Sequence, residues 1–101
     1  MVYTIGVADM KISSDNPDML ITYALGSCLG IAVYDLKLKM AGLLHCMLPD
    51  SSIDRNKAAG NPYMYVDSGM KALLDNFYRN GSLKKNLIIR VAGGSSSKVN
   101  E

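Results

Sequence analysis

The sequence predicts an α/β fold in which a mixed, mostly antiparallel sheet packs against one main helix at about residues 62–80. Three observations predict this class: several short apolar runs rich in β-branched residues, one longer segment with helical spacing, and a length of 101 residues, about half of them apolar. Such a chain suits one hydrophobic core and is too short for two. We therefore interpret residues 1–101 as a single domain.

The strands are predicted from five short segments, which lie at residues 2–8, 19–25, 29–34, 40–47 and 87–92. The third and fourth flank the basic link Lys37–Lys39, so we expect them to form an antiparallel hairpin. Residues 13–18 have the composition of a turn. Residues 49–61 are predominantly polar, which predicts a long surface loop.

The main helix has recognisable start and stop signals. Asn61 is a favourable N-cap residue, and Pro62 fits the first helical position because no hydrogen bond is lost there. Gly81 suits the C-terminal cap. The predicted core-facing residues between these signals are Val66, Met70, Leu73, Leu74 and Phe77.

Charge and hydropathy exclude two classes of function. The net charge of +2, from 11 basic and 9 acidic side chains, is too small and dispersed to predict nucleic-acid binding. The sequence contains no apolar stretch of the roughly 18–20 residues that cross a membrane and no N-terminal signal-peptide pattern. We predict a cytoplasmic protein without membrane insertion, in which Cys28 and Cys46 are free thiols.

Cys28 is the candidate nucleophile. It follows a predicted turn and lies between Gly26 and Gly30, which allow another molecule to approach the backbone closely. An ordinary thiol, with a pKa of about 8.5, is only a few per cent ionised at neutral pH and needs a neighbouring base. The only histidine, His45, is the candidate base.

The predicted hairpin returns His45 towards Cys28. Pairing of Leu29 with Leu44 or His45 requires a hairpin centred near Lys37, where the polar link lies. The competing interpretation is that Cys28 and His45 only pack in the core, because cysteine is among the most buried residue types.

Other residues near these two have ordinary alternatives. Cys46 must face away from His45, because successive strand residues point to opposite faces, and we assign it to packing. Zinc is disfavoured, since Cys28, His45 and Cys46 provide three ligands rather than four, two of them facing apart. No metal or organic cofactor is predicted.

Thr22 and two glycine-containing segments complete the candidate site. The hydroxyl or carbonyl of Thr22 could orient an imidazole, although threonine is also common in strands. Gly26 and Ser27 could line a pocket or only form the turn. Gly93 and Gly94 could present backbone amides to an anion or a peptide, or form a turn.

Taken in order, several motifs resemble the CheD chemotaxis family. They are Ile21-Thr22-Tyr23-Ala24-Leu25-Gly26-Ser27-Cys28, Gly42-Leu43-Leu44-His45-Cys46-Met47-Leu48-Pro49, Tyr65-Val66-Asp67 and Ala92-Gly93-Gly94. The resemblance covers nearly the whole chain. It implies a layered α/β sandwich and a protein-glutamine deamidase of bacterial chemotaxis, with Cys28 as nucleophile, His45 as base and Thr22 orienting His45.

The same resemblance implies the partners. Chemoreceptors, also called methyl-accepting chemotaxis proteins, would be the substrates, and a CheC-type phosphatase would be a binding partner. The alternative function is a non-catalytic CheD-like adaptor that binds CheC or receptors. CheD proteins generally continue well beyond the Ala-Gly-Gly segment, so the resemblance also implies that the C-terminal part of the family fold is absent from residues 1–101.

Overall fold

A computed structural model describes residues 1–15, 17–23 and 25–94. Within these ranges the chain forms six strands and two α-helices. The strands are β1 (Val2–Thr4), β2 (Asp9–Ser13), β3 (Met19–Ile21), β4 (Leu29–Asp35), β5 (Met40–Cys46) and β6 (Leu87–Gly93), and the helices are α1 (Arg55–Gly60) and α2 (Val66–Arg79). The predicted α/β class, with a mostly antiparallel sheet and one main helix, is confirmed.

The strands form two sheets. Strands β2, β5, β4 and β6 lie in this order in an antiparallel sheet, while β1 and β3 pair in parallel as a two-stranded sheet. The first predicted strand, over residues 2–8, was wrong in extent, because β1 ends at Thr4 and a separate strand, β2, begins at Asp9 and pairs with β5. Lys11 and Ser13 interrupt its apolar run, but Met10 and Ile12 pack against the core at every second position.

The predicted hairpin of β4 and β5 is confirmed, with a small change of register. Leu29 lies opposite Cys46 and Gly30 opposite His45, so Leu29 pairs one residue further along β5 than expected. Because strand residues alternate between faces, Gly30 and His45 share one face of the sheet. Leu44 and Cys46 lie on the opposite face, in the hydrophobic core that α2 covers.

Helix α2 begins at Val66 rather than at the predicted Pro62. The side chain of Asn61 does act as a cap, but for a 3₁₀ turn over Pro62–Met64. Tyr65 then adopts an extended backbone, bridges to Leu48 and is only 1% exposed. Burying this large side chain and pairing its backbone delay the start of the helix.

The buried face of α2 packs directly on β5. Leu73 and Phe77 are fully buried, as their helical spacing predicts. A Cβ atom at Gly42 would lie 2.7 Å from the Phe77 ring, so the glycine allows the helix to approach the sheet closely. The predicted cap is confirmed: Gly81 has φ of +97°, and the Ser82 N–H donates to the Phe77 carbonyl in a Schellman motif.

The segment after β5 lies at the surface but is more structured than predicted. Residues 49–61 contain a 3₁₀ turn over Ser51–Ile53 followed by α1, which buries no residue. The carboxylates of Asp50 and Asp54 accept hydrogen bonds from the backbone N–H groups of Ser52 and Lys57. Local capping by aspartate, rather than burial, therefore organises this segment.

Strand β6 lies at the edge of the larger sheet. In the part of the chain that the structure describes, β6 pairs on one side only, with β4. Ile89 is 41% exposed and Val91 is 59% exposed, so α2 does not cover this end of the sheet. The strand nevertheless reaches the candidate nucleophile, because Gly93 lies opposite Leu29.

Because of Asp35, the free energy of unfolding is expected to depend on pH in the acid range. Its fully buried carboxylate accepts hydrogen bonds from the backbone N–H groups of Lys37 and Leu38, both at 2.8 Å. The Leu38 N–H above all holds the pKa of Asp35 below its ordinary value. A carboxyl group whose pKa is lower in the folded state stabilises the fold at pH values above its unfolded-state pKa of about 3.9. This stabilisation is lost as the pH falls through the folded-state pKa.

We therefore expect Asp35→Asn to lower the free energy of unfolding at pH 7, with the difference from the parent protein narrowing as the pH falls below about 4. Urea unfolding at several pH values measures the difference. Asp15→Asn is the control, because Asp15 is exposed. A constant difference between Asp35→Asn and the parent across this pH range would contradict the assignment.

Candidate functional site

The predicted site residues come from neighbouring parts of the two sheets. His45 is near the end of β5, flanked by Asp9 of β2 and Gly30 of β4. Thr22 directly follows β3, and its side chain reaches across to His45. Cys28 directly precedes β4, two residues before Gly30. Cys28 thus lies just outside the sheet, at the end of β4 where Gly30 pairs with His45, and no hydrogen bond joins its sulfur to His45 Nε2 among the described residues.

A hydrogen-bond chain fixes the protonation pattern of the His45 ring. The Thr22 hydroxyl donates to the Ile5 carbonyl at 2.7 Å, and Thr22 Oγ1 also lies 2.9 Å from His45 Nδ1. A hydroxyl has one proton to donate. Since that proton goes to Ile5, Nδ1 must carry the hydrogen in the contact with Thr22. The neutral ring therefore has its lone pair on Nε2.

The Nε2 atom of His45 has no partner among the described residues. The ring is 2% exposed, and Nε2 is a buried side-chain atom without a hydrogen bond. Leaving a buried polar atom unpaired costs stability, so such an atom in a folded protein calls for an explanation, such as a chemical role. A buried imidazole with one nitrogen hydrogen-bonded and a free lone pair on the other can accept a proton from a donor that binds next to it.

Residues before β2 also hold the backbone of His45. The Ala8 N–H donates to the His45 carbonyl at 2.8 Å, with Ala8 in the left-handed region at φ of +58°. The Asn61 side chain in turn donates to the Ala8 carbonyl at 3.2 Å. Our sequence reasoning missed Ile5, Ala8 and Asn61, because two of them act through backbone groups that every residue carries.

Cys28 lies at the end of a tight turn. Its N–H donates to the Leu25 carbonyl at 2.6 Å, and Gly26 inside the turn has φ of +49°, which glycine tolerates best. Cys28 is partly exposed, whereas Cys46 is 1% exposed and packed in the core. Burial raises the pKa of the Cys46 thiol. Of the two free cysteines, Cys28 is therefore the more accessible to solvent.

The backbone amides near Cys28 divide into two groups. The amides of Cys28 and Gly94 are already hydrogen-bonded. The Cys28 N–H donates to the Leu25 carbonyl, and the Gly94 N–H donates to the Cys28 carbonyl at 2.7 Å. Gly26 and Ser27 lie on the exposed side of the turn. Among the oxyanion candidates, the Gly26–Ser27 side of the turn is consequently open to solvent, while the Gly94 amide is engaged.

An open cavity of about 310 Å³ adjoins this turn. It is mostly apolar and is bounded in part by Pro49, the first residue of the segment predicted to be a surface loop. Its lining residues are Ser27, Leu29, Cys46, Met47, Leu48, Pro49, Val66 and Gly94. Neither Cys28 nor His45 is among them.

The described part of the chain contains neither a metal-binding cluster nor a membrane-spanning helix. In residues 1–15, 17–23 and 25–94, no three His, Cys, Asp or Glu side chains are grouped so that they could hold a metal ion. None of the helices in these ranges has both the length and the apolar character needed to span a membrane.

Comparison with known proteins assigns the family. A family model described as "CheD chemotactic sensory transduction" matches residues 47–100 of this chain. The chain belongs to the CheD family. The matched range begins after both Cys28 and His45, so the roles of these two residues in this CheD-family chain depend on the geometry described above.

Curated CheD relatives extend the similarity over most of the chain. "Probable chemoreceptor glutamine deamidase CheD 1" of Syntrophus aciditrophicus is 48% identical over 92 residues, which are 91% of this chain and 58% of the relative. Similarly named CheD proteins of Solibacter usitatus and Clostridium botulinum are each 44% identical over 91% of this chain, covering 54% and 55% of their own lengths. This chain therefore spans little more than half the length of these relatives.

Proposed function

We propose that this CheD-family protein is a cytoplasmic protein-glutamine deamidase that converts glutamine side chains of chemoreceptors to glutamate and ammonia. The observation that carries the proposal is the buried His45 ring, held through Nδ1 by Thr22 and bare at Nε2, opposite Gly30 at the end of β4 that Cys28 directly precedes. The substrate is proposed from the name shared by its relatives, probable chemoreceptor glutamine deamidase. A CheC-type phosphatase is the proposed partner, from family resemblance alone.

The first half of the reaction uses Cys28 and His45. His45 Nε2 takes the proton of the Cys28 thiol, and the thiolate attacks the carboxamide carbon of the substrate glutamine. The oxyanion that forms faces the open Gly26–Ser27 side of the turn. The imidazolium then returns its proton to the departing nitrogen, so that ammonia leaves and a thioester joins Cys28 to the substrate.

The second half regenerates the protein. His45 Nε2 takes a proton from water, whose oxygen attacks the thioester carbon. The carbon–sulfur bond breaks, the thiolate recovers a proton from the imidazolium, and glutamate is released. Atoms and charges balance with water as the only co-reactant. Thr22 keeps the ring in one tautomer throughout, because its hydroxyl proton is already donated to Ile5.

The direct test is incubation of the protein with the cytoplasmic part of a chemoreceptor. We expect ammonia release and conversion of selected glutamines to glutamate, measured by peptide mass spectrometry. Iodoacetamide should modify Cys28 and leave the buried Cys46 unmodified in the folded protein. Receptor binding without ammonia release would contradict the deamidase and leave the non-catalytic adaptor as the function.

Thr22→Val is expected to lower kcat/KM by about 10- to 100-fold, because loss of an oriented hydrogen bond costs about 1–3 kcal/mol. Valine keeps the shape of threonine but cannot accept from His45 Nδ1. Thr22→Ser should retain most of the activity, since serine restores the oxygen. Thr4→Val is the matched control at an exposed threonine of β1. Equal kcat/KM values for Thr22→Val and Thr4→Val would contradict this role for Thr22.

A further inference from the structure

Gly93 and Gly94, at the end of β6, contact the backbone of Cys28. The Gly94 N–H donates to the Cys28 carbonyl at 2.7 Å, and the Cys28 N–H donates to Leu25 at 2.6 Å. Both backbone polar groups of the candidate nucleophile are therefore occupied. One bond comes from its own turn and the other from a strand more than sixty residues further along the chain.

Only glycine fits at position 93. Gly93 has φ of +89°, in the left-handed region that disfavours side chains. A Cβ atom there would overlap the carbonyl oxygen of Cys28 and lie 3.0 Å from the Cβ of Leu25. At Gly94 a Cβ atom would meet only the end of the flexible Leu29 side chain. The closest approach to the nucleophile is thus at Gly93.

We infer that Gly93 is a positioning residue for Cys28: the end of β6 holds the backbone of the nucleophile at the end of β4, where Gly30 pairs with His45. The inference depends on the proposed function for its catalytic consequence. It also assigns the glycine pair differently from the sequence pattern, which suggested amides free to bind an anion or a peptide. The Gly94 amide is not free, because it holds Cys28.

A side chain at Gly93 should displace the nucleophile without touching the substrate. Because a displacement of about 1 Å can cost about 100-fold in rate, we expect Gly93→Ala to lower kcat by about that factor while KM changes little. Alkylation of Cys28 by iodoacetamide near neutral pH should slow about tenfold, because the thiol has lost its base. At alkaline pH a thiol ionises without a neighbouring base, so the alkylation rates of Gly93→Ala and the parent protein should become equal.

Gly81→Ala is the matched control. Gly81 has φ of +97°, and a Cβ atom there would meet nothing within 4 Å. Both substitutions strain a left-handed glycine, so both should lower the thermal unfolding temperature. Only Gly93→Ala should change kcat per folded molecule and the pH dependence of alkylation. If Gly93→Ala matches Gly81→Ala in both readouts, the inference is wrong.

A second variant covers the case in which Gly93→Ala does not fold. Replacing Gly94 by glycolic acid through chemical ligation exchanges the backbone N–H for an oxygen and removes only the hydrogen bond to Cys28. We expect the same loss of kcat and the same shift in alkylation, and unchanged values would overturn the inference. If the parent protein releases no ammonia, the proposed function fails. The alkylation profiles then still decide whether Gly93 positions Cys28.

Discussion

If the proposed function is right, Cys28→Ser is expected to reduce glutamine deamidation to background, a loss of about four to six orders of magnitude, as for other residues that act as a catalytic unit. Serine keeps the size of the side chain, but its hydroxyl is a far weaker nucleophile than a thiolate when His45 is the base. Circular dichroism should match the parent protein, because Cys28 lies in a partly exposed turn outside the core. Ammonia release from a receptor fragment measures the effect.

Cys46→Ala is the control for this substitution. It removes the other free thiol, which is buried in the core and faces away from His45. We expect it to keep most of the activity and to lower stability slightly through the small cavity that it leaves. If Cys28→Ser retained deamidation while Cys46→Ala lost it, the assignment of the nucleophile would be reversed.

His45→Gln is expected to lower kcat by about 10²- to 10⁴-fold, the usual contribution of a general acid–base group. The glutamine amide can still donate to Thr22 Oγ1, so the buried contact is retained while the base is removed. Cys28 should also become less reactive near neutral pH. The alkylation that remains should rise with pH through the range in which an ordinary thiol ionises, around pH 8.5.

The chain has no second histidine to serve as a matched control. The pH dependence of alkylation serves instead, because a purely structural effect of His45→Gln would change the folded fraction and leave the profile of folded molecules unchanged. A profile identical to that of the parent protein would mean that His45 does not act on the thiol.

The parts of the fold that the sequence predicted depend on local signals. The hairpin of β4 and β5 followed from two apolar runs separated by a basic link, and the buried face of α2 from helical spacing. The exact start of α2 could not be predicted in this way, because the burial of Tyr65 and its bridge to Leu48 depend on the tertiary fold. Strand β2 was missed because only alternate residues of it face the core.

The register of the hairpin was predictable only to within one residue, and that residue matters for the site. Had Leu29 paired with His45, the imidazole would share the face of Leu29, which packs against the core. The observed pairing of Gly30 with His45 places the imidazole on the other face, away from Leu44 and Cys46. Sequence patterns locate the two candidate residues at neighbouring strand ends, while side-chain packing sets the final alignment.

The environment of His45 was the part of the candidate site that the sequence predicted least well. The resemblance implied Thr22, but the parallel pairing of β1 with β3, which brings Ile5 beside Thr22, joins segments that no turn connects. The use of the Gly94 amide by Cys28 likewise depends on the position of β6 beside β4. Long-range strand order decides which backbone groups are free and which are engaged.

The donor–acceptor chain from His45 through Thr22 ends at a carbonyl, and this affects what a mutational scan can detect. The carbonyl of Ile5 selects which imidazole nitrogen carries the hydrogen, yet every amino acid at position 5 carries the same group. Substitutions there would register only as changes in packing of a side chain that is 2% exposed. A scan of side chains would therefore score Ile5 as a core residue and overlook its effect on the tautomer of His45.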